Sequence, residues 1–167
     1  QNEDQPLNLR LLTVAGEPYA SLAKAIQEQW TAVNINTTIT TTNALPDALA
    51  AGNFDVALVD ITPPADPDLY DFWSQEAMVQ GQNYGRWNNR RASEALESGR
   101  QVWSVEERRP YYDSFLRLFN SSLPALTLYQ HISTYALSQE VNQAEIGYLH
   151  NPRDRYDTFA HWFLLYR

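Results

Sequence analysis

Apolar and polar positions first alternate along Leu7 to Val14, "LNLRLLTV", where Leu7, Leu9 and Leu11 share one face, the pattern of a half-buried strand. Gly16 and Pro18 punctuate it, and the period then lengthens. Tyr19, Leu22, Ala23, Ile26, Trp30 and Val33 recur as one face of a helix. "NINTTITTT", Asn34 to Thr42, is rich in β-branched residues and predicts a second strand. Strand, helix and strand in so short a span form a βαβ unit, so the two strands are expected to be parallel. Pro46 at a first turn and Gly52 just past an end frame a short helix, Pro46 to Ala51. The stretch "FDVALVDITPPADPDLYDFW", Phe54 to Trp73, comes next. Its first part, Phe54 to Ile61, is apolar on both faces apart from Asp55 and Asp60, as in a strand inside a parallel sheet.

The second half reads as more helical. Arg91 to Trp103 places Ala92, Ala95, Leu96, Val102 and Trp103 at helical spacing. Ser104 and Glu107 form a capping-box pattern for the next helix, which should reach about Phe119. Tyr111, Tyr112, Phe115, Leu116 and Phe119 would face inward, and Pro110 is placed to kink or restart the helix. "PALTLYQHISTYALS", Pro124 to Ser138, predicts a long strand. From Glu140 to Arg167 the chain reads as irregular, with aromatics at Tyr156, Phe159, Trp162, Phe163 and Tyr166. No repeat and no linker divides the chain, so a single α/β domain, 1–167, is expected: a mixed, mainly parallel sheet flanked by helices.

Composition agrees with a packed core, since 44% of the 167 residues are hydrophobic and 13% aromatic. No run approaches the ~18–20 apolar residues of a membrane span. The balance of 20 acidic against 12 basic residues, net charge -8, opposes phosphate backbones and argues against a nucleic-acid partner. With no cysteine, disulfides, thiolate nucleophiles and thiolate-held metals are excluded. The chain starts at Gln1 with no charged stretch leading into an apolar run, so a mature protein or an excised piece is expected. Asn36-Thr-Thr and Asn120-Ser-Ser fit the glycosylation pattern, a short motif of low specificity.

Four acids, Asp60, Asp66, Asp68 and Asp71, crowd the end of the Phe54 strand. Carboxylates so close suit acid–base work or a hard cation, but the central Gly and final Glu of a calcium loop are missing. The other reading is that Asp66 and Asp68 cap the helix entering "LYDFW". His131, His150 and His161 lack metal-ligand spacing, and neither a G-x-S-x-G elbow nor a glycine-rich phosphate loop occurs. "QGQNYGRWNN", Gln80 to Asn89, joins amides to Tyr84 and Trp87 in a glycine-flanked loop. Amphipathic aromatics and amides suit a ligand wall, and Trp87 equally suits a plug of the core beneath the loop.

In order along the chain, "LNLRLLTV", "VNINTTI", "LAAGNFDVALVDI", "DPDLYDFW", "NYGRWNN", "ASEALESGRQV", "RRPYYDSFLRLF" and "PALTLYQHISTYAL" resemble a known family. It is family 5 of the extracellular solute-binding proteins, the peptide/nickel-type receptors of ABC importers, and the match is to their C-terminal lobe. Each motif is loose; their order and spacing hold from about Leu7 to Leu164. The resemblance implies a periplasmic-binding-protein-like (type II) lobe of a two-lobed receptor, in the periplasm or outside the cell, with a parent that is free or lipid-anchored. The implied partners are a small peptide or other polar solute, the N-terminal lobe of the same parent and ABC permease subunits. No cofactor, no metal and no catalysis are implied.

The family's cleft lies beyond the carboxyl end of a buried parallel strand, here Ile61 to Asp66, where such sheets place ligands in general. By residue-wise carry-over the ligand-binding candidates are Asp60, Thr62, Asp66, Asn83, Tyr84 and Trp87, with Tyr129 and His131 on the strand leading back towards the hinge. In many peptide-binding members a tryptophan follows this strand, and an acid soon after pairs with the peptide's amino terminus. Ile61 and Pro63-Pro64 stand at those places here, leaving Asp60 or Asp66 to substitute. An oligosaccharide therefore stands beside a peptide as the expected solute. The remaining alternatives are an interaction module on a receptor fold and a hydrolase working through Asp60, Asp66 or Asp68.

Overall fold

The sheet is built around β1 (Leu7–Val14), which pairs in parallel with β2 (Ile35–Thr42) on one side and β3 (Val56–Leu58) on the other. A computed structural model of the chain gives this arrangement and describes residues 5–62, 66, 68–130, 132, 134–145, 147 and 153–164. The residues fall into two compact units: Gln1–Ile61 with Leu69–Pro124, and Thr62–Asp68 with Ala125–Arg167.

In the first unit, the predicted βαβ run is present. β1 leads through α1 (Tyr19–Thr31) to β2, and Leu7 pairs with Ile35 through to Val14 with Thr42. Leu11, Leu12 and Thr13 are all buried in succession. Successive strand residues point to opposite faces, so β1 is covered on both. The expected alternation thus gives way to a doubly buried stretch, while Leu7, at the strand's start, is exposed. Each buried leucine contributes on the order of 2 kcal/mol through the water it sheds. The Thr13 hydroxyl makes burial tolerable by donating to the Leu58 carbonyl at 3.0 Å.

β3 corrects the expectation of a strand interior to the sheet over Phe54 to Ile61. It is three residues long, half-buried, and an edge among the described residues. Asp55 is drawn aside before it, accepting from the Arg10 backbone N–H (2.8 Å), Nε (3.0 Å) and Nη2 (3.1 Å). Those bonds hold the Asp55 carboxyl below its ordinary value and raise the Arg10 guanidinium. α2 (Leu45–Ala51) has the expected proline at its start, and Gly52 closes it in the left-handed region, φ 70°.

The helical part packs α3 (Tyr70–Trp73), α4 (Ala77–Gln80), α5 (Arg90–Arg100) and α6 (Val105–Ser122). Ala92, Ala95, Leu96 and Phe115 form its core, with Trp73, Trp87, Tyr112 and Phe119 packed against them. Gly99 permits the approach of α5 to α6: a Cβ there would stand 2.9 Å from the Tyr112 ring. Asn89 caps α5 through the Ala92 N–H (3.1 Å), and Ser104 caps α6 through the Glu107 N–H (3.3 Å). The Ser104 hydroxyl in turn donates to the Glu106 carboxylate at 2.9 Å. α6 runs through Pro110 to Ser122 as one helix. Phe115 is buried as predicted; Leu116 and Tyr111 are exposed, and so is Trp103, beyond the end of α5.

In the second unit, the described residues of 125–138 carry no strand, contrary to expectation. β-branched and aromatic residues favour a strand only where a ladder partner exists, and none pairs with these residues among those described. The tail is more regular than its sequence suggested. β4 (Val141–Asn142) pairs antiparallel with β5 (Phe163–Leu164), and 3-10 helices cover Asp154–Tyr156 and Phe159–His161. Trp162 meets Phe159 at 5.5 Å between ring centroids and donates from Nε1 to Thr158 Oγ1 at 2.9 Å.

Candidate functional site

The carboxyl ends of β1 and β3 are held in register by the pairing of Thr13 with Leu58. β1 then enters a tight turn: Ala15 N–H donates to the Thr42 carbonyl, Gly16 takes φ 99°, and a cis Glu17–Pro18 bond precedes α1. A positive φ of that size suits a residue without a Cβ. The turn brings Tyr19, the first residue of α1, across to the exit of β3. There its phenol donates to Asp60 Oδ2 at 2.5 Å. Asp60 is exposed and Tyr19 half-buried, so a carboxylate reaches solvent from an anchored partner.

Tyr19 is the residue that sequence reasoning missed. It was assigned to the apolar face of α1, and only its position directly after Pro18 marks it as the helix's first residue. Its partner lies 41 residues away, beyond any local pattern. Ile61, next after Asp60, is exposed.

The loop of Asn83, Tyr84 and Trp87 belongs to the same unit. Asn83 is only 1% exposed. Its Nδ2 donates to the Ser74 and Trp87 carbonyls, both at 2.9 Å, and its Oδ1 accepts from the Trp87 N–H at 3.0 Å. The amide thereby works inside the loop, pinning it to the residue after α3. Trp87 is half-buried and makes edge contacts with Trp73 (6.4 Å), Phe115 (6.1 Å) and Phe119 (5.6 Å). Those contacts are the core plug of the two readings left open for it. Tyr84 is half-buried.

Thr62, Asp66 and Tyr129 fall in the second unit, and each is exposed. His131 lies outside the described residues, as do Pro63, Pro64 and His150. The N-cap position of α3 is held by Leu69 rather than by Asp66 or Asp68. Among the described residues, no group of three or more His, Cys, Asp or Glu is placed to hold a metal ion, and no helix is long and apolar enough to cross a membrane.

No family model and no curated protein matches the sequence. Solved structures do match. Over 99% of this chain and 34% of theirs, the likeness to the oligopeptide-binding protein AppA of Bacillus subtilis, in complex with a nonapeptide, has a TM-score of 0.71 at 19% identity. NikZ of Campylobacter jejuni, in complex with Ni(L-His), matches 71% of this chain with 25% of its own (TM-score 0.62, 22% identity). The murein tripeptide binding protein MppA of Escherichia coli matches 71% with 24% of its own (TM-score 0.64, 19% identity). The chain thus spans about a quarter to a third of these proteins. The likeness shows the fold: the expected periplasmic-binding-protein-like α/β architecture, a parallel sheet flanked by helices, is the one observed.

Proposed function

We propose that this chain is the ligand-binding, C-terminal lobe of an extracellular solute-binding protein that delivers a peptide or other polar solute to an ABC importer. The observation that carries the reading is the match of 99% of the chain to one third of an oligopeptide-binding protein. The exposed Asp60 carboxylate at the carboxyl ends of parallel strands supports it, because sheets of this kind take ligands there.

In this reading the N-terminal lobe of the parent faces the carboxyl edge of the sheet, and hinge closure buries the solute between the lobes. Asp60, Thr62 and Asp66 supply hydrogen-bonding groups, Tyr84 and Trp87 supply aromatic surface, and Asn83 holds their loop in shape. Tyr129 and His131 belong to the segment returning to the hinge. The parent works in the periplasm or outside the cell, free or lipid-anchored, and its closed form is what the permease subunits receive. Proline at 63 and 64 in place of the amine-pairing acid favours an oligosaccharide as the second reading of the solute.

Native mass spectrometry of the parent, purified gently from its own host, tests the proposal. A mass excess that vanishes on denaturation is the expected result, and its fragmentation separates peptide from sugar. No excess after exposure to mixed peptides and oligosaccharides overturns the solute-binding reading. Turnover of any substrate that Asp66→Asn abolishes would establish the hydrolase in its place.

A further inference from the structure

We infer that the surface cavity between the end of α1 and the start of β2 is a second binding site, and that its ligand is a small neutral polyol of monosaccharide kind. The site is separate from the proposed solute cleft. It lies at the amino end of β2, whereas Asp60 follows the carboxyl end of β3.

Gln27, Glu28 and Thr31 from the last turns of α1, with Asn36 and Thr37 from the start of β2, line a cavity of about 440 Å³. That lies within the ~300–1,000 Å³ of small-molecule sites. β2 is an edge strand among the described residues, so the cavity opens beside a strand that no further strand covers there.

Thr37 is the most buried of the five, and its hydroxyl has no partner among the described residues. A buried hydroxyl left so destabilises the fold, and a ligand oxygen would supply the acceptor it lacks. The other groups are largely spent as donors. Thr31 gives its one hydroxyl proton to the Gln27 carbonyl at 2.7 Å, and Gln27 Nε2 donates to the Thr37 carbonyl at 2.6 Å. Asn36, on the opposite face of the strand from Thr37, donates to Asn8 Oδ1 at 3.2 Å and borders the rim. What remains on the α1 side is acceptors: Gln27 Oε1, the Thr31 lone pairs and the Glu28 carboxylate, which meets Lys24 at 3.9 Å. The Gln27 side chain, anchored on Thr37 itself, is the group that turns aside for a ligand to reach the hydroxyl.

A ligand here must donate to several oxygens and accept from one hydroxyl. Polyol hydroxyls do both. An ammonium group offers Thr37 no acceptor, and a carboxylate or phosphate would meet the Glu28 charge.

The test uses the full-length protein that contains this chain, isotope-labelled, as wild type, Thr37→Val, Thr37→Ser and Glu28→Gln. Amide shifts are followed by NMR during titration with glycerol, D-glucose, myo-inositol, D-glucosamine and D-glucuronate. At least one neutral probe should give saturable shifts at the amides of Gln27, Glu28 and Thr37, with affinity about fivefold or more above both charged sugars. Thr37→Val should weaken that probe about fivefold even as its urea midpoint rises, and Thr37→Ser should bind as wild type does. Glu28→Gln should bring glucuronate up to the neutral probe. A purely structural threonine would change stability and leave affinity alone.

No saturable shift at these amides with any of the five probes overturns the inference. Shifts confined to the amides of Asp60 and Ile61 also overturn it, while leaving the solute-binding reading standing. A charged sugar that binds as tightly as the neutral probes refutes the ligand class, and unchanged affinity in Thr37→Val refutes the part given to the hydroxyl. Should Thr37→Val fold poorly, Glu28→Gln decides, since Glu28 is exposed: glucuronate excluded as before refutes the site.

Discussion

Asn83 and Thr37 are both buried polar residues, and they differ in whether their hydrogen bonds are made. Asn83 has three bonds to the loop around it. The Thr37 hydroxyl has no partner among the described residues, although the Thr37 carbonyl accepts from Gln27 Nε2 at 2.6 Å. An orphaned buried hydroxyl costs about 1–3 kcal/mol, and valine retains the β-branched shape suited to a strand. Thr37→Val should therefore raise stability by about 1 kcal/mol, read as a higher urea midpoint at unchanged slope. Trp87 tests the opposite sign. Its ring contacts with Trp73, Phe115 and Phe119 place it in the helical core, so Trp87→Ala should cost about 3 kcal/mol or more. Loss of solute binding at unchanged stability would return Trp87 to the ligand wall alone. Neither residue's position was legible locally, because burial is set by what packs on top.

At the scale of elements, the ends of helices were easier to read than the positions of strands. Pro46, Gly52, Ser104 and the βαβ spacing act through their own neighbours and stand close to where the pattern put them. β3 was misplaced because its rank in the sheet depends on β1, which takes the centre. The Arg10–Asp55 contact ties β1 to the residue that leads into β3, with both side chains well solvated. Asp55 titrates lower in the folded chain than its ordinary value, so the contact stabilises at neutral pH and is lost as pH falls through the folded value. Asp55→Asn should accordingly show a shallower fall of melting temperature than wild type on acidification below about pH 5. Parallel acid curves for the two proteins would remove Asp55 from the acid response.

The first unit, as a whole, buries its central strand on both faces and its helical core around Phe115, which is 1% exposed. The described residues of 125–138 lack a ladder, and Leu126, Leu128 and Ile132 are exposed. Hydrogen exchange should follow that division. The amides of Leu11, Leu12 and Thr13 should be among the slowest, while those of 126–130 exchange orders of magnitude faster. Protection of 126–130 equal to that of β1 would mean that a ladder forms there in solution.

The sequence alone determined the α/β class, the parallel βαβ start and the helix limits near Gly52 and Ser104. These follow from periodicity and capping, which act over a few residues. It also carried, in the order of its motifs, a resemblance to solute-binding receptors that the fold match supports at the level of architecture. Tertiary structure decided that Asp60 meets Tyr19 at the carboxyl edge, that Asn83 faces inward, and that the stretch after Pro124 carries no strand among its described residues. Each of these depends on groups distant in sequence meeting in space, as the Tyr19 phenol at the start of α1 meets Asp60 after β2, α2 and β3 have intervened. Local pattern does not encode such meetings, because the free energy that selects them comes from packing of the whole chain.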